Sequence, residues 1–166
     1  MSVNLDLDKK LNDKLVLFYG LEAVYNLIGS TAYRSHIITN IETPTTTRYP
    51  NGSTWEAYGA YGSLKYKVNQ KLILHTGLRY SYYKIKADFD TTLFPLPFVS
   101  AQNKNGALNG SLGMVLNPVR SFQFYVNASS GFRAPNIDDM GKVFESEPGS
   151  VVVPNANLKP EYAYSA

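Results

Sequence analysis

The sequence of 166 residues contains no cysteine, which excludes disulfide bonds, zinc–thiolate centres and thiol catalysis together. It has no apolar run that approaches the roughly 18 residues needed for a membrane-spanning helix. Charged residues make up only 17%, which argues against a disordered chain. The net charge is +3, and the basic residues are scattered rather than clustered, so we expect no nucleic-acid partner.

Catalytic motifs are also missing. The sequence has no Gly-x-Ser-x-Gly elbow, no phosphate-binding loop and no His-Glu-x-x-His helix. A hydrolase would need a histidine beside a serine, and the only pair on one strand face is His75 and Ser81. Six residues along a strand span roughly 20 Å, which is too far for proton transfer. We therefore expect no enzyme, no cofactor and no metal centre.

Aromatic residues, by contrast, are abundant, with 13 tyrosines and eight phenylalanines. Membrane-interface belts are a known use for such side chains. Apolar and polar residues alternate with a period of two, which is typical of strands that have two different faces. The pattern predicts a first strand ending near Leu7 and five more at about 14–26, 55–68, 71–86, 107–117 and 122–132.

Short turns and long polar loops alternate between these strands. The turns lie at residues 9–13, 68–71 and 117–121, and the loops at about 27–54, 87–106 and 133–159. All nine prolines are predicted to lie in these connections, where their missing N–H costs no ladder bond. Short turns at one end and long loops at the other are typical of a transmembrane β-barrel. The sequence therefore predicts an all-β, antiparallel up-and-down meander of about six barrel strands.

Alternation alone does not decide which face meets lipid. Tyrosines near the strand ends and polar residues on the opposite face favour an apolar face that points outward. The alternative is a soluble β-barrel or sandwich that binds a small ligand and buries its apolar face. That alternative requires four side chains to meet in one enclosed core: Leu74, Leu78, Leu112 and Phe124.

Two short boxes near the end of the sequence carry a family resemblance. The first is Phe132-Arg133-Ala134-Pro135, and the second is Asn155-Ala156-Asn157-Leu158-Lys159-Pro160-Glu161. They resemble boxes of TonB-dependent outer-membrane receptors, which commonly read Phe-Arg-Ala-Pro and Asn-Pro-Asn-Leu-Lys-Pro-Glu. Ala156 stands where a proline is usual. Gly20-Leu21-Glu22 is similar to a frequent Gly-x-Glu strand of the same family.

This resemblance implies a barrel of about 22 strands around an N-terminal plug, preceded by a segment that contacts TonB. Residues 1–166 would be an excised, partial barrel domain, because they contain no leader, plug or TonB box. The parent would lie in the outer membrane of a Gram-negative bacterium. It would import a ferric siderophore, haem or cobalamin with energy from the TonB complex, and it would contact outer-membrane lipid and lipopolysaccharide. The excised piece is expected to self-associate through its sheet edges or apolar face.

Candidate ligand contacts cluster around the first long loop. Arg34, Arg48, Tyr49 and Trp55 are suited to an anionic, aromatic siderophore, because arginine pairs with carboxylates and catecholates while rings stack. A loop that packs on itself or touches lipopolysaccharide accounts for the same residues. His36 offers an imidazole to iron or haem, although a lone loop histidine is more often solvated.

Two further candidates lie on the polar face of the fourth predicted strand. His75 and Arg79 are expected to face the lumen, where they contact ligand or join a hydrogen-bond network. Haem receptors of the resembled family often place an iron-binding histidine between the two boxes. No histidine occurs there in this sequence, which disfavours haem binding by that route.

Overall fold

The computed structural model describes residues 1–45, 47, 49–92, 98–141, 144–147, 150–152, 155 and 157–166. Its elements are β1 (Ser2–Lys10), β2 (Leu15–Ile28), β3 (Ala32–Ser35), β4 (Glu42–Thr45), β5 (Ser53–Lys67), β6 (Leu72–Asp88), β7 (Ser100–Val119), β8 (Phe122–Arg133), α1 (Ile137–Gly141), β9 (Phe144–Glu147), β10 (Ser150–Val152) and β11 (Glu161–Ser165). Within these residues, no helix has the length and apolar character that crossing a membrane requires.

Seven strands form one open antiparallel sheet in the order β1-β2-β5-β6-β7-β8-β11. The pairs β3–β4 and β9–β10 are separate hairpins inside the first and third long loops. The predicted meander is confirmed, and so is the alternation of short turns and long loops. Each of the two outermost strands of the sheet, β1 and β11, has one neighbour, so a ladder of backbone groups is left open at both edges.

The fifth strand of the sheet is longer than predicted. It was expected from residue 107, but β7 begins at Ser100, and residues 100–106 pair in register with residues 82–88. The loop is therefore 89–99 rather than 87–106. The alternation of apolar and polar residues does not continue into this extension, so the pattern did not indicate a strand there. Backbone hydrogen bonds to a neighbouring strand need no apolar face in the part of the strand above the membrane.

Two prolines also depart from expectation, because they lie inside strands. Pro118 lies inside β7, at an irregularity where the register to β8 shifts between Leu116 and Val119. The ladder is already interrupted there, so the missing N–H costs little. Pro44 lies in β4, opposite Tyr33 in the loop hairpin.

Two of the short turns are built in the same way. The side-chain oxygen of Asn12 accepts hydrogen bonds from the backbone N–H groups of Lys14 (2.9 Å) and Leu15 (3.0 Å). Asn69 accepts the equivalent bonds from Lys71 (2.8 Å) and Leu72 (2.9 Å). An asparagine that folds back onto the backbone in this way fixes a tight turn, which explains why these connections are short.

The outer face of the sheet carries a largely apolar band. On β6 it runs from Leu72 to Tyr82, and the next outward residue is Lys84. The ten residue steps from Leu72 to Tyr82 cover about 33 Å along a strand, or about 23 Å in height at a tilt near 45°, which matches the apolar band of an outer-membrane barrel. Leu78 and Leu112 are each 62% exposed, and Phe124 is 56% exposed. They do not meet in an enclosed core, so the soluble alternative is wrong.

The buried core lies on the opposite, inner face, at the end with the long loops. Tyr83, Ile85 and Ala87 of β6 are almost completely inaccessible to solvent. We call this group and the residues packed against it the inner cluster; the packing residues are Trp55, Ala57, Phe89, Ala101, Phe132, Ala134, Ile137 and Leu158. The third loop therefore folds back over β6 and β7 and covers the inner face.

Candidate functional site

Both sequence boxes lie at the inner cluster, where they form one interlocked unit. Arg133 at the end of β8 is directly opposite Glu161 at the start of β11, and an ion pair of 3.4 Å joins them. Arg133 also donates two hydrogen bonds to Asp139 of α1, at 3.0 and 2.9 Å. One guanidinium nitrogen, Nη2, thus meets both oxygens of Asp139, while Nη1 meets Glu161. Because the planar guanidinium fixes the directions of its two nitrogens, Arg133 holds α1 and β11 together.

The helix α1 begins with a reciprocal cap. The side chain of Asn136 accepts from the N–H of Asp139 (2.9 Å), and Asp139 accepts from the N–H of Asn136 (3.0 Å). This capping box satisfies two backbone donors at the helix start and leaves the Asp139 carboxylate oriented toward Arg133. Pro135 lies just before the cap and is buried, which suits a residue that cannot continue the β8 ladder.

The second box is held by its backbone. The carbonyl oxygen of Leu158 accepts from the side chains of Asn103 (2.9 Å) and Asn105 (3.0 Å), both on the inner face of β7. The Leu158 side chain packs on the inner cluster with those of Phe132 and Ala134. We call this arrangement the box clamp; it comprises Phe132, Arg133, Ala134, Asp139, Leu158 and Glu161 with the two β7 asparagines.

The remaining residues of the second box make fewer contacts with the rest of the protein. Asn155 accepts a hydrogen bond from the N–H of Asn157 (2.9 Å), which forms a turn before the clamp. Lys159 is exposed, and Pro160 is half-buried.

Sequence reasoning missed Asn103 and Asn105 because they fell in a predicted loop. Their spacing of two residues, which puts both on one face of a strand, was the available signal.

A second polar group crosses the inner wall lower down. Arg79 of β6 forms an ion pair with Glu22 of β2 and donates to Ser81 (3.0 Å), and Tyr61 of β5 donates to Asp6 of β1. Arg79 also lies over the ring of Tyr61, 5.8 Å from its centroid. Arg79 is therefore already occupied by protein partners.

Two glycines make these cross-strand contacts possible. A Cβ on Gly59 would lie 2.5 Å from the guanidinium of Arg79, and one on Gly20 would clash with the hydroxyl of Tyr61. Each long side chain therefore lies flat over a glycine of the next strand to reach an acid one strand further. His75 lies four residues from Arg79 along β6, about 13 Å away, and is opposite Lys65 and Gly113.

The loop candidates separate into two places. Arg34 and His36 line one open pocket of about 600 Å³ at the tip of the β3–β4 hairpin, beside the exposed side chains of Ile37, Ile38 and Ile41. Trp55 instead packs on the inner cluster. The structure thus brings Arg34 and His36 together but does not join them to Trp55, His75 or Arg79.

The chemistry of His36 is set by its neighbour. Its Nδ1 lies 3.3 Å from the backbone N–H of Thr39, which donates to it, and 3.1 Å from the Thr39 hydroxyl. A ring nitrogen that accepts from an N–H carries no proton, so the neutral ring bears its proton on Nε2. In that form His36 offers an N–H donor in the open pocket that Arg34 also lines.

The other loop residues add little to this pocket. The backbone carbonyl of Tyr49 accepts from the Thr47 hydroxyl near the base of the loop. Arg48 lies outside the described residues. In the described part of the chain, no three histidine, aspartate or glutamate side chains are grouped as a metal ion would require.

Comparison with known families agrees with this geometry. The family model described as TonB dependent receptor-like, beta-barrel, matches residues 1–166. The chain belongs to this family. As part of a TonB-dependent receptor barrel, it lies in the outer membrane of a Gram-negative bacterium. No curated protein matches the chain.

Two solved structures show the same receptor-barrel fold. The copper transporter OprC is 18% identical with a TM-score of 0.79, and the match covers 98% of this chain and 25% of that chain. A double mutant of the Serratia marcescens hemophore receptor HasR, in complex with its hemophore HasA and heme, is 16% identical with a TM-score of 0.66. That match covers 98% of this chain and 27% of HasR. The chain thus spans about a quarter of the length of either receptor.

The box clamp gives a direct prediction. In the complete receptor, Arg133→Ala is expected to lower the free energy of unfolding by about 1 kcal/mol, a modest loss because the side chain is 58% exposed and water screens its ion pairs. The larger expected effect is local: hydrogen exchange should rise at residues 136–141 and 158–165. Arg133→Lys should fall between wild type and Arg133→Ala, because lysine keeps the charge but has only one nitrogen to share between Asp139 and Glu161. Unchanged exchange in Arg133→Ala would show that the clamp does not hold the loop.

Proposed function

We propose that this chain forms part of the wall and extracellular loops of a receptor that imports a scarce, metal-bearing ligand of the ferric siderophore, haem or cobalamin class. Energy would come from the TonB complex through a part of the receptor outside residues 1–166. The observation that carries this proposal is the paired donor site of Arg34 and His36 at the loop end of a wall with an apolar outer face. Donors at the outer rim are placed to meet a ligand that arrives from outside.

The open sheet supports a larger wall. Seven strands whose two outer members are β1 and β11 cannot curve into a closed pore. We propose that both edges pair with further strands of a barrel of about 22 strands, which encloses a plug. The TonB contact, the plug and the remaining loops would then complete the transport function.

The donor chemistry favours an anionic complex. Arg34 is permanently charged, and His36 presents a ring N–H rather than a free lone pair. These groups suit the carboxylates or catecholates around a metal better than the metal itself. The two structural neighbours are described with copper and with heme and a hemophore, respectively, so metal-bearing cargo occurs with this fold.

Uptake by whole cells tests the proposal. The complete receptor would be expressed in cells with and without TonB, and accumulation of labelled ferric siderophores, haem and cobalamin would be measured. We expect one class to accumulate only when both receptor and TonB are present. Arg34→Ala/His36→Ala should weaken its apparent affinity at least tenfold, because hydrogen bonds to charged groups contribute about 1.5–3 kcal/mol. Arg120→Ala, in the short turn at the opposite end, is the matched control and should change nothing.

Two results would contradict parts of this proposal. TonB-independent accumulation of every ligand would contradict active import. An active receptor whose affinity is unaffected by Arg34→Ala/His36→Ala would remove the hairpin tip from ligand binding while leaving the transport role in place.

A further inference from the structure

Three isoleucines lie together at the tip of the β3–β4 hairpin. Ile37 is 95% exposed, Ile38 is 87% exposed and Ile41 is 62% exposed. Single apolar residues are common on protein surfaces, but a contiguous group of large ones marks a binding surface. The hairpin belongs to the first long loop, so this apolar tip is at the end of the wall where a ligand arrives.

The two faces of this hairpin differ in charge. Arg34 is paired with Thr43, and the next pair is Ser35 with Glu42. Because successive side chains of a strand point to opposite sides, Glu42 lies on the face away from Arg34. Glu42 is the one acidic residue in the sequence of this hairpin. The Arg34 face is therefore positively charged, and the described side chains that line its pocket include no carboxylate.

One open pocket joins this charge to the isoleucines. Its volume of about 600 Å³ is in the usual range for a small-molecule site. Arg34 and His36 supply N–H donors, and the three isoleucines supply apolar surface. The isoleucines lie in the connection between the two strands, so the apolar part is at the tip and Arg34 is nearer the base. A small hydrophilic chelate would leave the isoleucines in water.

The pocket therefore fits a ligand that has two chemically different ends. On the basis of the proposed function, we infer that the ligand is an amphiphile, an anionic metal chelate that carries an acyl tail. Its head would pair with Arg34 and His36, and its tail would cover Ile37 and Ile38. Binding of the tail removes apolar surface of both partners from water, which a chelate without a tail cannot do.

Ferric tris-catecholate chelates that differ only in their tail test this inference. The tail would be absent, butyl or octyl, and binding to the complete receptor in lipid nanodiscs would be measured, with binding to empty nanodiscs subtracted. Full burial of a methylene group strengthens binding about fourfold. An open pocket buries about half of each group, so we expect about twofold per methylene and an octyl-to-butyl affinity ratio of about 16.

Replacing two isoleucines should reduce this ratio. Ile37→Ser/Ile38→Ser is expected to lower it to about threefold or less, because the tail loses its apolar partner. Both side chains are almost wholly exposed, so the change leaves the fold intact. Val99→Ser is the matched control, because it removes an apolar side chain that is 68% exposed in the second long loop. The ratio in this control should equal that of wild type.

A further variant separates the head from the tail. Arg34→Ala should weaken binding of all three chelates by a similar factor, so the octyl-to-butyl ratio should stay as in wild type. A wild-type ratio below about threefold would overturn the inference, and so would an unchanged ratio in Ile37→Ser/Ile38→Ser. Absence of binding by every chelate of the series would also overturn it. TonB-dependent uptake of haem or cobalamin is measured separately, so these failures leave the proposed transport function untouched.

Discussion

Replacing Leu112 with arginine is expected to cost about 2–4 kcal/mol of folding free energy in a bilayer. Leu112 lies in the middle of the apolar band and is 62% exposed on the outer face. An arginine near the membrane midplane must either lose its hydration or distort the bilayer around it, and barrels show a cost of this size. The free energy of folding into lipid vesicles, measured by urea titration of the complete receptor, gives the value directly.

The neighbouring residue supplies the matched control. Ser111 precedes Leu112 on β7, points to the inner face and is exposed there. Ser111→Arg introduces the same side chain at the same depth, but toward water, and should cost less than about 0.5 kcal/mol. Equal costs for the two variants would show that the two faces of the sheet do not differ in environment, and the assignment of lipid to the outer face would be lost.

Truncation of Ile85 to alanine is expected to have the second large effect, about 2–4 kcal/mol. Ile85 is fully buried in the inner cluster beneath the third loop. The change removes buried methyl groups and leaves a cavity that the rigid sheet cannot close. Unfolding titrations would measure the loss, and limited proteolysis should show faster cleavage between residues 134 and 160, because the loop packs on this cluster.

Leu108 on the outer face of β7 is the control for this second change. It is 60% exposed, so Leu108→Ala leaves no internal cavity, and flexible lipid chains fill the space. We expect a cost below about 1 kcal/mol and unchanged proteolysis of the third loop. If Ile85→Ala were as mild as Leu108→Ala, the inner cluster would not contribute to the stability of the loop end.

The strand order and the facing of the side chains could be predicted from the sequence because both depend on local patterns. The alternation along β6 specified its two faces, and the asparagines and other turn-forming residues located the short turns. The start of β7 could not be predicted, because residues 100–106 show no alternation of apolar and polar side chains. There the pairing with β6 decides the structure, and that information is not local.

The candidate site was predictable only in part. Arg34 and His36 are close in sequence, so their shared position in one loop followed from the chain itself. Arg133 pairs with Glu161, and the carbonyl of Leu158 accepts from Asn103; both contacts join residues that are distant in sequence. The boxes resemble a family pattern in the sequence alone. The contacts that join them into a clamp are visible only in the three-dimensional structure.

The flat placement of Tyr61 over Gly20 and of Arg79 over Gly59 affects how far the inner face of the sheet projects. Long side chains that lie against their neighbours project little, so in a closed barrel they would narrow the interior less than their size suggests. The wall of such a barrel would present ring and guanidinium planes along this stretch, with few protruding groups.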